Sequence, residues 1–123
     1  MVLVDVRKQR GDKGEQLVAE YLEQDGFAIV ERNYACSTGE VDLIAKRGET
    51  VVFVEVKART NSFFDLTELI SKEKQRRIIS AAKRFIVEHA VNNKVCRFDV
   101  ALIEHLDSGK ISYIPNAFTE TEY

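Results

Sequence analysis

Residues 39–59 read "GEVDLIAKRGETVVFVEVKAR", two apolar runs separated by "RGE". Each run has the length and β-branched content of a strand, and the glycine-containing break between them reads as a tight turn, so the stretch predicts a β-hairpin. The second run, "TVVFVEVKA", is apolar on both faces, the pattern of a strand central to a covered sheet. Three of the ionisable groups in this hairpin stand within or at the end of its apolar runs: Asp42 in the first strand, and Glu55 and Lys57 at the end of the second. Burying a charge without a partner is costly, so these positions call for a chemical reason.

Outward from the hairpin, the N-terminal side holds "FAIVERNY", a strand, joined to it by the turn "ACSTGE". Before that strand, Leu17, Val18, Tyr21 and Leu22 recur at helical spacing and predict a helix from Lys13 to Gln24, stopped by Gly26. Asp12 reads as its N-cap, with Glu15 three residues on as a capping-box partner. On the C-terminal side, "RTNSFFDLTEL" leads to a helix from Ser71 to His89 with a buried stripe of Ile78, Ile79, Ala82, Phe85 and Ile86. "VCRFDVALIE" is a fourth strand, "HLDSGK" a turn, and "ISYIPNAF" a short closing strand. The order α-β-β-β-α-β plus an appended strand predicts an α/β protein, a mixed sheet flanked by helices.

At 123 residues the chain is expected to form one domain, residues 1–123. Its 45% hydrophobic and 31% charged content argues against disorder. No apolar run approaches the ~18–20 residues of a membrane span, and the charged N-terminus does not read as a signal peptide, so the expectation is a cytoplasmic protein. Cys36 and Cys96 lack zinc-site spacing and read as reduced thiols. His89 and His105 suggest neither a triad nor a metal pair, and no glycine-rich phosphate loop is present. A net charge of −2 excludes a uniformly basic surface, yet Lys72, Lys74, Arg76, Arg77, Lys83 and Arg84 are gathered on one helix.

Alternation along the third strand places Val51, Phe53, Glu55 and Lys57 on one face and Val52, Val54 and Val56 on the other. Glu55 and Lys57 thus point together at the strand's C-terminal end, where open sheets place binding crevices. Asp42 reaches the same end in the right register. Two carboxylates there form an oxygen-rich site suited to Mg²⁺ or Mn²⁺, and a lysine beside it can orient water or meet developing negative charge. Hydrolysis of a nucleic-acid backbone is the natural use of such a set. The bland alternative is a strand-end ion pair and a turn-proximal acid.

The spacing D-x(12)-ExK, with Asp42, Glu55 and Lys57 on consecutive strands, resembles the PD-(D/E)XK (restriction-endonuclease-like) nuclease superfamily. "GEVDLI" with "VFVEVKAR" is closer still to the YraN-like family of small bacterial proteins. "GDKGEQLVAEYLEQDGF", "RNY", "SKEKQRRIISAAKRF", "CRFDVALI" and "ISYIPNAF" extend the likeness over about residues 11–118. The archaeal Holliday-junction resolvases share the motif order more distantly.

The resemblance implies a restriction-endonuclease-like core and metal-dependent cleavage of nucleic acid, expected to be DNA in repair or recombination. It implies Asp42 and Glu55 as metal-binding carboxylates, Lys57 as the catalytic lysine, and Glu15 as an additional acid near the metal. The capping-box role of Glu15 stands beside that reading. Gln75, polar on a buried stripe, is a further site neighbour, with Lys74 as its alternative. Lys72, Lys74, Arg76 and Arg77 read either as solvated helix or as phosphate-backbone contacts. Arg97 and Asp99 read as an ion pair. The loop after the ExK strand lacks the glycine common in the family. The competing readings are a nucleic-acid-binding module on a nuclease fold with little or no activity, and a partner-binding structural protein. A domain this small facing a duplex is compatible with a homodimer, although no segment marks an interface.

Overall fold

The computed structural model of the chain describes residues 6–58, 70–91, 94–105 and 108–120. Helix α1 spans Val6–Gln24, strands β1, β2 and β3 span Ala28–Cys36, Gly39–Arg47 and Thr50–Ala58, helix α2 spans Lys72–Glu88, and strands β4 and β5 span Val95–His105 and Lys110–Phe118. The strands form one sheet in the order β1-β2-β3-β4-β5, with β3 central as its two apolar faces require. The β3–β4 pair is parallel, connected through α2, and the other neighbours are antiparallel. The mixed α/β sheet expected from the sequence is therefore the sheet observed.

The hairpin closes at Arg47↔Thr50 through Gly48, whose φ of +58° suits glycine in a two-residue turn. Strand alternation then sorts the core into two layers. Val18, Ala19 and Leu22 of α1 pack with Leu43, Ala45, Val52, Val54, Ala101 and Ile103. Ile78, Ile79, Ala82 and Phe85 of α2 pack with Ile44, Val51, Phe53, Val100 and Leu102 on the other face. Phe53 is fully buried beneath α2, and burying such a side chain contributes about 1.5–3 kcal/mol.

Helix α2 begins where its cap dictates: the Ser71 hydroxyl accepts from the Lys74 amide at 3.1 Å, and His89 caps the other end. Helix α1 starts earlier than its apolar periodicity indicated, at Val6 rather than Lys13. Asp12 consequently lies inside the helix and is not its N-cap, and the Asp12–Glu15 capping box does not form.

On the α1 face, buried Asp99 accepts two hydrogen bonds from Arg97 Nε, one from Arg97 Nη2 at 2.9 Å, one from the Tyr113 hydroxyl and one from the Asn116 amide at 2.8 Å. The Arg97–Asp99 pair is as the sequence indicated, and it ties β5 to β4. Both cysteines are free thiols.

Candidate active site

The β2–β3 ladder runs from Arg47↔Thr50 to Leu43↔Val54 and stops. Beyond that point the strands part, and the Val56 amide donates to Asp42 Oδ2 at 2.8 Å. A charge-assisted bond of this kind holds the carboxylate at the mouth of the split. Glu55, in sequence with Val51 and Phe53 on the α2 face of β3, turns its carboxyl into the same opening.

The two acids perturb each other. Burial, then the Asp42 charge beside it, push the Glu55 carboxyl up to about 8, against the pull of the Lys74 ammonium. Burial raises Asp42 as well, opposed by the Val56 N–H and by Lys74. Glu55 Oε2 is buried and no donor among the described residues reaches it. The Asp42 carboxyl beside it becomes a partner only when one of the two acids is protonated. Two facing carboxyls in a poorly solvated site are satisfied in one of two ways: they share a proton, or they share a cation. The donor set, hard oxygens at a strand end, fits a divalent magnesium- or manganese-type ion.

Helix α2 supplies the neighbouring positive charge. Lys74 Nζ stands 3.4 Å from Glu40 Oε1 and 3.9 Å from Glu55 Oε1. The helix can lie this low over β2 because residue 39 is glycine: a Cβ there would meet the Arg77 carbonyl oxygen at 1.8 Å. Lys57, two residues beyond Glu55, is exposed.

A sequence model of one family, described as "Uncharacterised protein family UPF0102", matches residues 14–103, which include every strand of this opening. The chain belongs to the UPF0102 family. It is 43% identical over 115 residues to a UPF0102 protein of Clostridium perfringens (strain 13 / Type A), covering 90% of this chain and 94% of the relative. A UPF0102 protein of Clostridioides difficile (strain 630) is 40% identical over 112 residues, covering 90% and 97%. Among solved structures, Archaeoglobus fulgidus Hjc, a Holliday junction resolvase from an archaeal hyperthermophile, superposes with a TM-score of 0.52 at 19% identity, covering 82% of this chain and 72% of that one. The fold is thus resolvase-like, as the resemblance to the PD-(D/E)XK superfamily implied.

Within this UPF0102 fold the residues singled out from the sequence separate into groups. Asp42 and Glu55 come together, and Lys57 follows Glu55 by two positions in β3 with an exposed side chain. Glu15 stands near enough that burial and the Asp42 charge raise its pKa, but the Asn33 amide holds its carboxylate at 3.2 Å. Among the described residues no three Asp, Glu, His or Cys side chains close on one point, and Glu15 stands as a neighbour of the pair.

Gln75 is buried, but its amide nitrogen donates to the Ile70 carbonyl at 3.1 Å, which anchors the start of α2. Lys74, its alternative, is the helix residue that faces the acids. Lys74 is accordingly engaged with carboxylates, while Lys72, Arg76 and Arg77 are exposed, Arg77 meeting Gly39 through its backbone alone. The loop expected to carry a glycine, residues 59–69, lies outside the described residues. Sequence reasoning missed Glu40, although alternation sets it two positions from Asp42, and it missed Gly39, whose need is visible only once a helix lies across it.

Proposed function

We propose that this protein is a divalent-metal-dependent nuclease acting on DNA. The observation that carries the reading is the Asp42–Glu55 pair: two carboxyls brought together from adjacent strands, one oxygen buried without a donor, with an exposed lysine two positions beyond Glu55 near the C-terminal end of β3. Asp42 and Glu55 would hold Mg²⁺ or Mn²⁺, which lowers the pKa of bound water and offsets charge on a phosphodiester. The chain's own contributions are distinct. Val56 N–H fixes Asp42, burial against the sheet fixes Glu55, and Lys57 orients the attacking water or stabilises the charge that builds on phosphate oxygen. Lys74 is drawn to Glu55 and Glu40, and it limits the negative charge a substrate phosphate meets.

The resolvase-like fold supports nucleic acid as the substrate class, and the exposed cations of α2 support an anionic partner. The test is incubation with plasmid, single-stranded, flapped and four-way DNA in Mg²⁺ or Mn²⁺. Cleavage of at least one substrate, lost in Lys57→Ala while that variant still binds metal, is expected. A fully active Lys57→Ala would remove the lysine from the mechanism.

A second reading, a DNA-binding module with little or no hydrolysis, draws on Lys74. Its ammonium already sits 3.9 Å from Glu55 Oε1, a resident cation where a metal would bind. Metal-independent DNA binding without cleavage of any of these substrates is the outcome that selects it.

A further inference from the structure

Between α2 and the residues that follow β5 lies a cavity of about 340 Å³ whose lining includes Lys72, Gln75, Arg76, Ile79, Lys83 and Glu120. Three of these are cations on one helix ridge. Lys72 and Lys83 are three turns apart, about 16 Å along the axis, with Arg76 one turn in from Lys72. Lys72 and Arg76 are exposed, with no carboxylate partner among the described residues. Lys83 differs: its ammonium is hydrogen-bonded to Glu120 Oε1, just beyond the end of β5, and both side chains are more than half exposed. An exposed pair of this kind is weak and screened, so it is readily exchanged for another anion.

We propose that this groove binds successive phosphates of a nucleic-acid backbone, and that Glu120 occupies its Lys83 end as an internal competitor. The proposal rests on the nucleic-acid reading above and adds where the strand lies. A row of cations three turns long cannot be satisfied by one phosphate, whereas a backbone offers charges in series. Lys72 opens the row at the same end of α2 from which Lys74 faces Glu55. Lys74 drops out of the contact set, turned to carboxylates. The Glu120 carboxylate stands where a phosphate oxygen would stand. It favours substrates that bring several phosphates at once over small anions.

The test is fluorescence anisotropy of a labelled DNA duplex with the wild-type chain in EDTA, where cleavage plays no part, over a salt series. Each phosphate contact contributes about 0.9 to the log–log salt slope. The double variant Lys72→Ala/Lys83→Ala should lower that slope by about 1.8, and Glu120→Gln should tighten binding several-fold. Glu23→Gln makes the same charge change on exposed α1, on the opposite face of the sheet, and should not reproduce the gain.

An unchanged slope in the double variant, or equal effects of Glu120→Gln and Glu23→Gln, overturns the groove while leaving the proposed nuclease standing. A wild-type chain that binds no DNA overturns both. A mononucleotide that binds as tightly as the duplex also overturns the groove, because it would show a single-phosphate site.

Discussion

The Val56 amide donates to Asp42 Oδ2 at 2.8 Å, at the point where the β2–β3 ladder has just ended. A backbone group that has run out of strand partner thus positions an acid, and the acid faces Glu55 across the split. Asp42→Asn keeps an acceptor for Val56 but removes the charge. The fold should change by less than about 1 kcal/mol, since one neutral hydrogen bond replaces a charged one. The Glu55 carboxyl should titrate well below its present value of about 8, because a main cause of the shift is gone. Carbon-detected NMR titration of the Glu55 carboxyl checks this. An unshifted Glu55 would mean that burial alone sets its pKa.

The pH dependence follows from the same pair. Glu55 is raised from an ordinary 4.5 to about 8, so the folded state holds its proton more tightly than the unfolded chain does. Its contribution to stability is therefore complete below about 4.5 and is lost as pH rises through about 8. In EDTA, the urea midpoint of the wild type relative to Glu55→Gln should fall between pH 5.5 and 8.5. Mn²⁺ should reverse the trend, stabilising more at pH 8.5 than at 5.5, because ion and proton compete for the same oxygens. A pH-independent difference would contradict the shift.

Gly39→Ala tests how α2 is seated. The added Cβ meets a backbone carbonyl, Arg77 O, which cannot swing aside as a side-chain tip could. A loss of about 1–3 kcal/mol is expected, typical of overpacking. Metal affinity should rise as stability falls, because raising the helix draws the Lys74 ammonium, a competing cation, away from Glu55. Denaturant unfolding and a Mn²⁺ titration on the same variant check both. Wild-type stability would show that the helix rides higher than described.

Much of this was legible in the sequence, and the failures have physical causes. The hairpin, the central position of β3 and the Arg97–Asp99 pair follow from local rules of alternation and turn chemistry. The start of α1 was missed because the residues from Val6 to Asp12 are nearly all charged, polar or glycine, so apolar periodicity carries no signal there. Glu15 and Gln75 were assigned by their place in a pattern. Their hydrogen bonds to Asn33 and Ile70 depend on which segments pack together, and no spacing records that. Lys74 and Glu40 were underweighted for the same reason, since a helix and two strands must meet before either residue faces Glu55.

Asp99 offers a separate check on what holds β5 in place. It is fully buried and takes bonds from Arg97, Tyr113 and the Asn116 amide. Asp99→Ala leaves a partly buried guanidinium and a backbone N–H without their acceptor, and should cost about 3–5 kcal/mol. Tyr113→Phe removes one bond and should cost about 1–2 kcal/mol. Thermal unfolding reads both. In the folded fraction, metal affinity should match wild type, because this network lies on the α1 face of the sheet.

The central claim is that Asp42 and Glu55 exchange a shared proton for one divalent cation. Calorimetric titration of Mn²⁺ at pH 7, repeated in two buffers of different ionisation enthalpy, measures ions bound and protons released together. The account predicts one ion per chain, release of close to one proton, and loss of binding in both Asp42→Ala and Glu55→Gln. Mn²⁺ binding that survives either substitution, or no binding by the wild type, would contradict it.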